Sequence, residues 1–230
     1  MKINKILFVV TSHDELGNTG KKTGLWIEEF AAPYYTFHDM GKEIVIVSPK
    51  GGQTPIDPKS DLPENRTEAT IRYYSDKETQ GKLSNTVKLT TVSANDFDAI
   101  FYPGGHGPMW DLAEDKDSAK LIESFYFAGK PVTLVCHAPA ALKYARRPDG
   151  RWLIEGRRVT AFTNTEEETA QLTNVVPFLL EDMLKQRDAR FLKGEDWKPF
   201  VTRDDLLITG QNPASSILAA HTLLDYAERM

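Results

Sequence analysis

Four short runs of apolar residues limit what this chain can fold into. They are Lys5 to Thr11, Glu43 to Ser48, Asp98 to Tyr102 and Val132 to Val135. Each is apolar without a polar–apolar alternation, the pattern of strands buried on both faces, as in parallel sheets. Between them lie stretches with helical spacing. Thr23 to Met40 is one, closed by Gly41, with Pro33 predicting a kink or break inside it. Lys116 to Ala128 is another, with Leu121, Ile122 and Phe125 on one face and Gly129 as the stop. Further on, Arg158 to Phe162 reads as a fifth strand, Val175 to Arg187 as a helix and Leu206 to Thr209 as a last strand. Asn212-Pro213 opens a terminal helix to about Arg229. Strand and helix thus alternate, which calls for βαβ units: a mainly parallel sheet with helices on both faces.

The remaining segments are less regular. Pro49 to Arg66 is rich in Gly, Pro, Asp and Lys and reads as a long loop, either a lid or rim or a plain surface excursion. Arg72 to Leu89 has room for a short helix and an extended piece near Val87-Lys88-Leu89. There is no internal repeat and no linker, so residues 1–230 read as a single domain.

Composition excludes several functions. A net charge of −5 argues against nucleic acid or a membrane surface as the main partner. No apolar run approaches the ~18 residues of a membrane span. The opening MKINKILFVV is followed at once by Thr11, Ser12, His13, Asp14 and Glu15, without a small-residue cleavage pattern. It reads as a buried strand, and the protein as cytoplasmic. The single cysteine, Cys136, rules out an intrachain disulfide framework and a cysteine-cluster zinc site.

Function in open α/β sheets gathers at the carboxyl ends of the strands. The run Val132 to Val135 stops at Cys136-His137, and a helix-like segment follows with Pro139 near its first turn. A thiol at such a turn sits near the positive end of a helix dipole, which favours thiolate. The third strand leads to Gly104-Gly105-His106-Gly107, which lacks the lysine and spacing of a phosphate loop. The fifth leads to Thr163-Asn164-Thr165-Glu166-Glu167-Glu168, and the last to Gly210-Gln211-Asn212. Two of those three glutamates read as a solvated helix start. Glu28 and Glu29 are helix neighbours facing about 100° apart, so one of them can reach a site. Nucleophile, base, acid and backbone donors therefore converge on one edge, the inventory for covalent catalysis. A metal pair of His106 and His137 has no third ligand cluster in the sequence, so no metal is expected.

These motifs together are specific. VCHAPAAL after a strand, YPGGHG before it and TGLWIEEFAAP near the start resemble the ThiJ/PfpI superfamily of class I glutamine-amidotransferase-like proteins. The resemblance runs from ILFVVTS to TGQNPASS and points to the small branch related to heat-shock protein 31 and glutathione-independent glyoxalase III. It implies a flavodoxin-like three-layer sandwich with a nucleophile elbow at Cys136. It implies that His137 partners the thiol and that an acid after the fifth strand, Glu167, orients the histidine. It also places a carboxyl group from the first helix, Glu29, against the sulfur, and makes Gly104, Gly105, His106 and the His137 N–H the oxyanion and substrate-binding groups. The implied activity is a cofactor-free lyase turning methylglyoxal or related 2-oxoaldehydes into 2-hydroxy acids. The alternatives are a stress chaperone or deglycase, and a cysteine amidase or peptidase. The chaperone alternative looks to Trp26, Phe30, Tyr34 and Tyr35 as an apolar patch for unfolded clients. A small aldehyde substrate and a homodimer complete the expectations.

Overall fold

A computed structural model describes residues 2–228. The elements in chain order are β1 Lys5–Val9, α1 Ile27–Asp39, β2 Glu43–Ser48, α2 Glu68–Ser75, α3 Lys77–Ser84, β3 Val87–Lys88, β4 Ala99–Tyr102, α4 Lys116–Phe127, β5 Val132–Val135, β6 Arg158–Val159, α5 Asn164–Thr169, α6 Leu180–Gln186, β7 Arg190–Phe191, β8 Val201–Asp204, β9 Leu207–Gly210 and α7 Ser216–Glu228. Seven strands form one sheet in the order β3-β2-β1-β4-β5-β9-β8. All its pairs are parallel except β8 with β9.

The continuous apolar runs are explained by this sheet, because both of its faces are covered. Along β1 and the residue after it, Ile6, Phe8 and Val10 belong to one core cluster, and Leu7 and Val9 to the other. The first cluster lies under α1 and α7, where Phe8 meets the rings of Phe30, Tyr34 and Phe37 edge-on. The second lies under α4, α6 and the 3₁₀ helix Ala138–Tyr144. The result is the α/β three-layer sandwich with helices on both faces, of flavodoxin-like type. β1 has β2 on one side and β4 on the other, so the strand order reverses there and opens a crevice above the carboxyl ends.

Several local expectations change. α1 runs through Pro33 without a break. Phe30, Tyr34 and Tyr35 are core side chains, at most 4% exposed, so they offer no patch to an unfolded client or a second subunit. The segment 158–162 supplies only β6, which pairs with β7 outside the main sheet. α6 begins at Leu180 rather than Val175, since the residue before Pro177 is biased away from helix. The antiparallel edge strand β8, with its mixed polar sequence VTRD, is an addition that periodicity did not reveal. Residues 72–84 hold two helices, not one. The terminal helix is described to Glu228, and Arg229 lies outside the described residues.

Candidate active site

Cys136 follows β5 with a φ of 61°, a left-handed conformation that a non-glycine residue rarely adopts. The turn is pinned on both sides. Its N–H donates to the Gly210 carbonyl at 2.9 Å, and its carbonyl accepts from the Phe162 N–H at 3.0 Å. Strain of this kind costs of order 1–3 kcal/mol and persists only where the surroundings enforce it. It turns the thiol away from the strand and out over the sheet edge.

His137 comes next, and its Nδ1 lies 3.2 Å from the sulfur. Its Nε2 lies 2.7 Å from Glu167 Oε2, in the first turn of α5. The other oxygen of that carboxylate, Oε1, meets His106 Nε2 at 2.8 Å. The two rings lie 3.9 Å apart between centroids. One carboxylate thus accepts from two imidazoles, which fixes both as Nε2–H tautomers and leaves the His137 Nδ1 lone pair facing the sulfur. Burial, and then the neighbouring His106, push His137 down, so its ring is neutral at rest. Burial alone would raise Glu167, but His137 and His106 outweigh it and hold the carboxyl well below the usual carboxylate range.

Glu29 lies on the other side of the sulfur, fully buried on α1. Its Oε2 accepts from the Gly104 N–H at 2.8 Å. Oε1 is buried and has no hydrogen-bonding partner among the described residues, while the carboxyl group faces Cys136. Burial outweighs the Cys136 thiol and the Gly104 N–H that face the carboxyl group, and pushes Glu29 up to about 8. Burial and then the facing Glu29 push the Cys136 thiol up as well. Both effects oppose the helix-dipole expectation of a thiolate, and the segment after Cys136 is a short 3₁₀ helix rather than an α-helix. The Gly105 N–H also hydrogen-bonds the sulfur.

Glycine is required at 104 because a Cβ there would lie 2.6 Å from the Val135 carbonyl oxygen and 2.8 Å from Glu29 Oε2. The Gly104 N–H, expected to bind an oxyanion, is therefore committed to the acid. The His106 ring is likewise committed to Glu167, so it braces that carboxylate rather than an oxyanion. With Glu167, the two histidines form a trio whose ligand atoms lie within 4.8 Å of one another, the third group that the sequence had not revealed for a metal. Here both Nε2 atoms are spent on the carboxylate.

Of the three consecutive glutamates, only Glu168 is solvated. Glu166 is fully buried and its carboxylate accepts from Thr163, Trp197, Gln211 and Asn212. The sequence signal for this was the capping-box spacing Thr163 to Glu166, which marks an acid turned back onto its own helix start. The Cys136 sulfur opens into a cleft of about 870 Å³ whose lining includes Trp26, Phe162 and Trp197. Lys59, Glu64, Asn65 and Arg66 also line it, so the long loop is a rim. Glu28 lines the cleft and is held by Thr67.

A parallel sheet carrying a strained cysteine elbow, with a histidine beside it, defines the class. The chain belongs to the DJ-1/PfpI family, whose model matches residues 25–225. It is similar to glyoxalase 3 of Candida albicans, 29% identical, over 96% of this chain and 97% of that protein. The crystal structure of glyoxalase III from the same organism superposes with a TM-score of 0.88 at 28% identity, covering 96% of each chain. The rapid encystment protein of Francisella tularensis superposes with a TM-score of 0.93 at 35% identity, over 98% of this chain and 99% of that one. Among the described residues, no helix is long and apolar enough to cross a membrane.

Proposed function

We propose that this protein is a glutathione-independent lyase of the glyoxalase III type, converting 2-oxoaldehydes such as methylglyoxal to 2-hydroxy acids. The observation that carries the reading is the buried Glu29 carboxyl group facing the Cys136 sulfur, with His137 Nδ1 3.2 Å from the same atom. The names of the similar glyoxalases point the same way.

In this reading each proton has a partner. As sulfur bonds to the aldehyde carbon C1, the thiol proton passes to His137 Nδ1, and Glu167 stabilises the imidazolium. Glu29 gives its proton to the aldehyde oxygen, and in this reading the Gly105 and His137 N–H groups stabilise that oxygen. The product is a hemithioacetal, with Glu29 now a carboxylate. Glu29 then takes the C1 hydrogen as a proton while His137 protonates the C2 oxygen, leaving an enediol. Glu29 returns the proton to C2 and His137 removes the one on the C1 oxygen, giving the thioester of a 2-hydroxy acid. Water attacks C1, its proton going to Glu29, and the C–S bond breaks as His137 returns a proton to sulfur. The sum is aldehyde plus water giving hydroxy acid, with every residue restored. A carboxyl group poised near 8 suits this double duty near neutral pH.

Lactate formation from methylglyoxal without glutathione, wild type beside Cys136→Ala, tests the reading. Wild type is expected to form lactate and the variant none; a variant that keeps its rate overturns the covalent route. The cleft volume favours one second reading, a hydrolase using the same residues on a larger substrate. Peptide and amide turnover by wild type is its test. We further propose, on family resemblance, a single-domain cytoplasmic homodimer, which light scattering of a monomer at micromolar concentration would remove.

A further inference from the structure

The cleft is far larger than methylglyoxal needs. At about 870 Å³ it lies within the range that encloses ligands of drug size. Methylglyoxal adds only a methyl group to its two carbonyl carbons. The wall beside the reacting centre is also aromatic. Phe162 lies tilted against the His137 ring, 4.3 Å between centroids, and Trp197 meets Phe162 edge-on at 5.4 Å. Both side chains line the cleft.

Trp197 is the unusual member. Its φ is 62°, a strained backbone for a bulky side chain. Yet the side chain is 44% exposed, so burial does not explain why the strain is kept. What holds it is Glu166: the Trp197 N–H donates to Glu166 Oε1 at 2.8 Å. That oxygen also accepts from Asn212 Nδ2 at 2.8 Å and Gln211 Nε2 at 3.2 Å, and Oε2 accepts from the Thr163 N–H at 3.0 Å. A fully buried carboxylate therefore pins the backbone that carries an exposed, cleft-lining indole, while its neighbour Glu167 holds the histidines.

We propose that Trp197, positioned by Glu166, makes this protein select 2-oxoaldehydes carrying an aryl or bulky apolar group over methylglyoxal. The proposal rests on the lyase reading above. The thiol and its proton partners handle the two carbonyl carbons common to all such substrates. The indole and Phe162 receive the group beyond them. An apolar pocket discriminates by roughly tenfold to two-hundredfold for each methylene it accommodates, so an aryl group with a well-placed wall gains at least about tenfold.

The test compares kcat/KM for phenylglyoxal, forming mandelate, with that for methylglyoxal, forming lactate, in wild type, Trp197→Ala, Trp197→Phe and Glu166→Gln. Wild type is expected to favour phenylglyoxal by about tenfold or more. Trp197→Ala lowers that ratio by a similar factor, chiefly through KM for phenylglyoxal, and Trp197→Phe restores most of it. Glu166→Gln lowers the ratio as Trp197→Ala does, because the backbone that carries the indole loses its anchor. A purely structural role would lower both substrates together and leave the ratio alone, which overturns the proposal, as does a wild-type ratio at or below one. If Glu166→Gln does not fold, as circular dichroism shows, the two Trp197 variants decide the matter. A separate readout covers failure of the lyase reading. If neither aldehyde is turned over, that reading falls, and binding of mandelate against lactate to wild type and Trp197→Ala probes the wall directly. Equal binding of the two acids to wild type then overturns the selectivity as well.

Discussion

Replacing Glu29 by glutamine isolates the energetic consequence of burying a carboxyl group with one oxygen unpartnered. Glutamine keeps the shape and keeps an acceptor for the Gly104 N–H, which lies 2.8 Å from Glu29 Oε2. The difference between the two proteins is then the proton. The folded chain holds the Glu29 proton to about 8, whereas a free glutamate releases it near 4.5. Between those values the native state binds more protons than the unfolded state, so wild-type stability falls as pH rises through this window. At 1.36 kcal/mol for each pKa unit, the full difference is about 5 kcal/mol, an upper bound because the neighbouring thiol shares the site. Glu29→Gln carries no such loss. Its melting temperature is therefore expected to match wild type near pH 4.5 and to exceed it progressively toward pH 8. For a chain of this size each kcal/mol corresponds to about 2–4 °C, so a gap on the order of 10 °C is expected at the upper end. Melting curves of both proteins at half-unit pH steps measure it. The Cys136 thiol is held up in part by Glu29 itself, but its ordinary titration range lies above this window, so it keeps its proton in both proteins between pH 4.5 and 8. A constant gap across the range would refute the claim that Glu29 keeps its proton, and with it the acid role at the aldehyde oxygen. Lactate formation by the variant is expected to vanish alongside its gain in stability.

Two further substitutions test the supports of the site. Glu167→Gln leaves one imidazole facing an amide N–H₂ instead of an oxygen; kcat is expected to fall by about 10²–10⁴-fold with the fold retained, measured by lactate formation and circular dichroism. Gly104→Ala places a methyl group 2.6 Å from the Val135 carbonyl oxygen, so it should destabilise by about 1–3 kcal/mol in urea unfolding and displace Glu29, abolishing activity as well.

The fold was legible because its strands are buried on both faces. A run such as ILFVV has no other comfortable place, and the helical spacing between runs dictates the crossovers. The turn at Cys136 was legible for a related reason: an apolar run that ends on Cys-His shortly before a proline marks the passage from a strand to a helical segment. Less legible were features whose cause lies far away in the chain. β6 left the main sheet, and β8, with its polar residues, replaced it at the edge. The sulfur's resting state depends on Glu29, 107 positions earlier by numbering (136 − 29), and no local rule weighs that carboxyl group against a helix end. The run of three glutamates hid two buried acids, because side-chain direction within one helical turn is set by which partners surround it. Glu167 found two histidines and Glu166 found four donor residues, and only the folded chain supplies them.

The adjacency of Glu166 and Glu167 also bears on how such a protein can diversify. The proposed reacting groups, Cys136, His137, Glu29 and Glu167, follow a parallel strand or lie on the helices α1 and α5 that pack on the sheet. Trp197, one member of the aromatic wall, lies on the segment 192–200, between the short β7 and the edge strand β8, and its backbone is fastened through one carboxylate. Mutations in that segment can reshape what enters the cleft while the elbow and its proton partners stay in register. Descendants of one ancestral chain could thus acquire different substrates without rebuilding the reaction, and the residues to compare among them are those around Trp197 rather than those around Cys136.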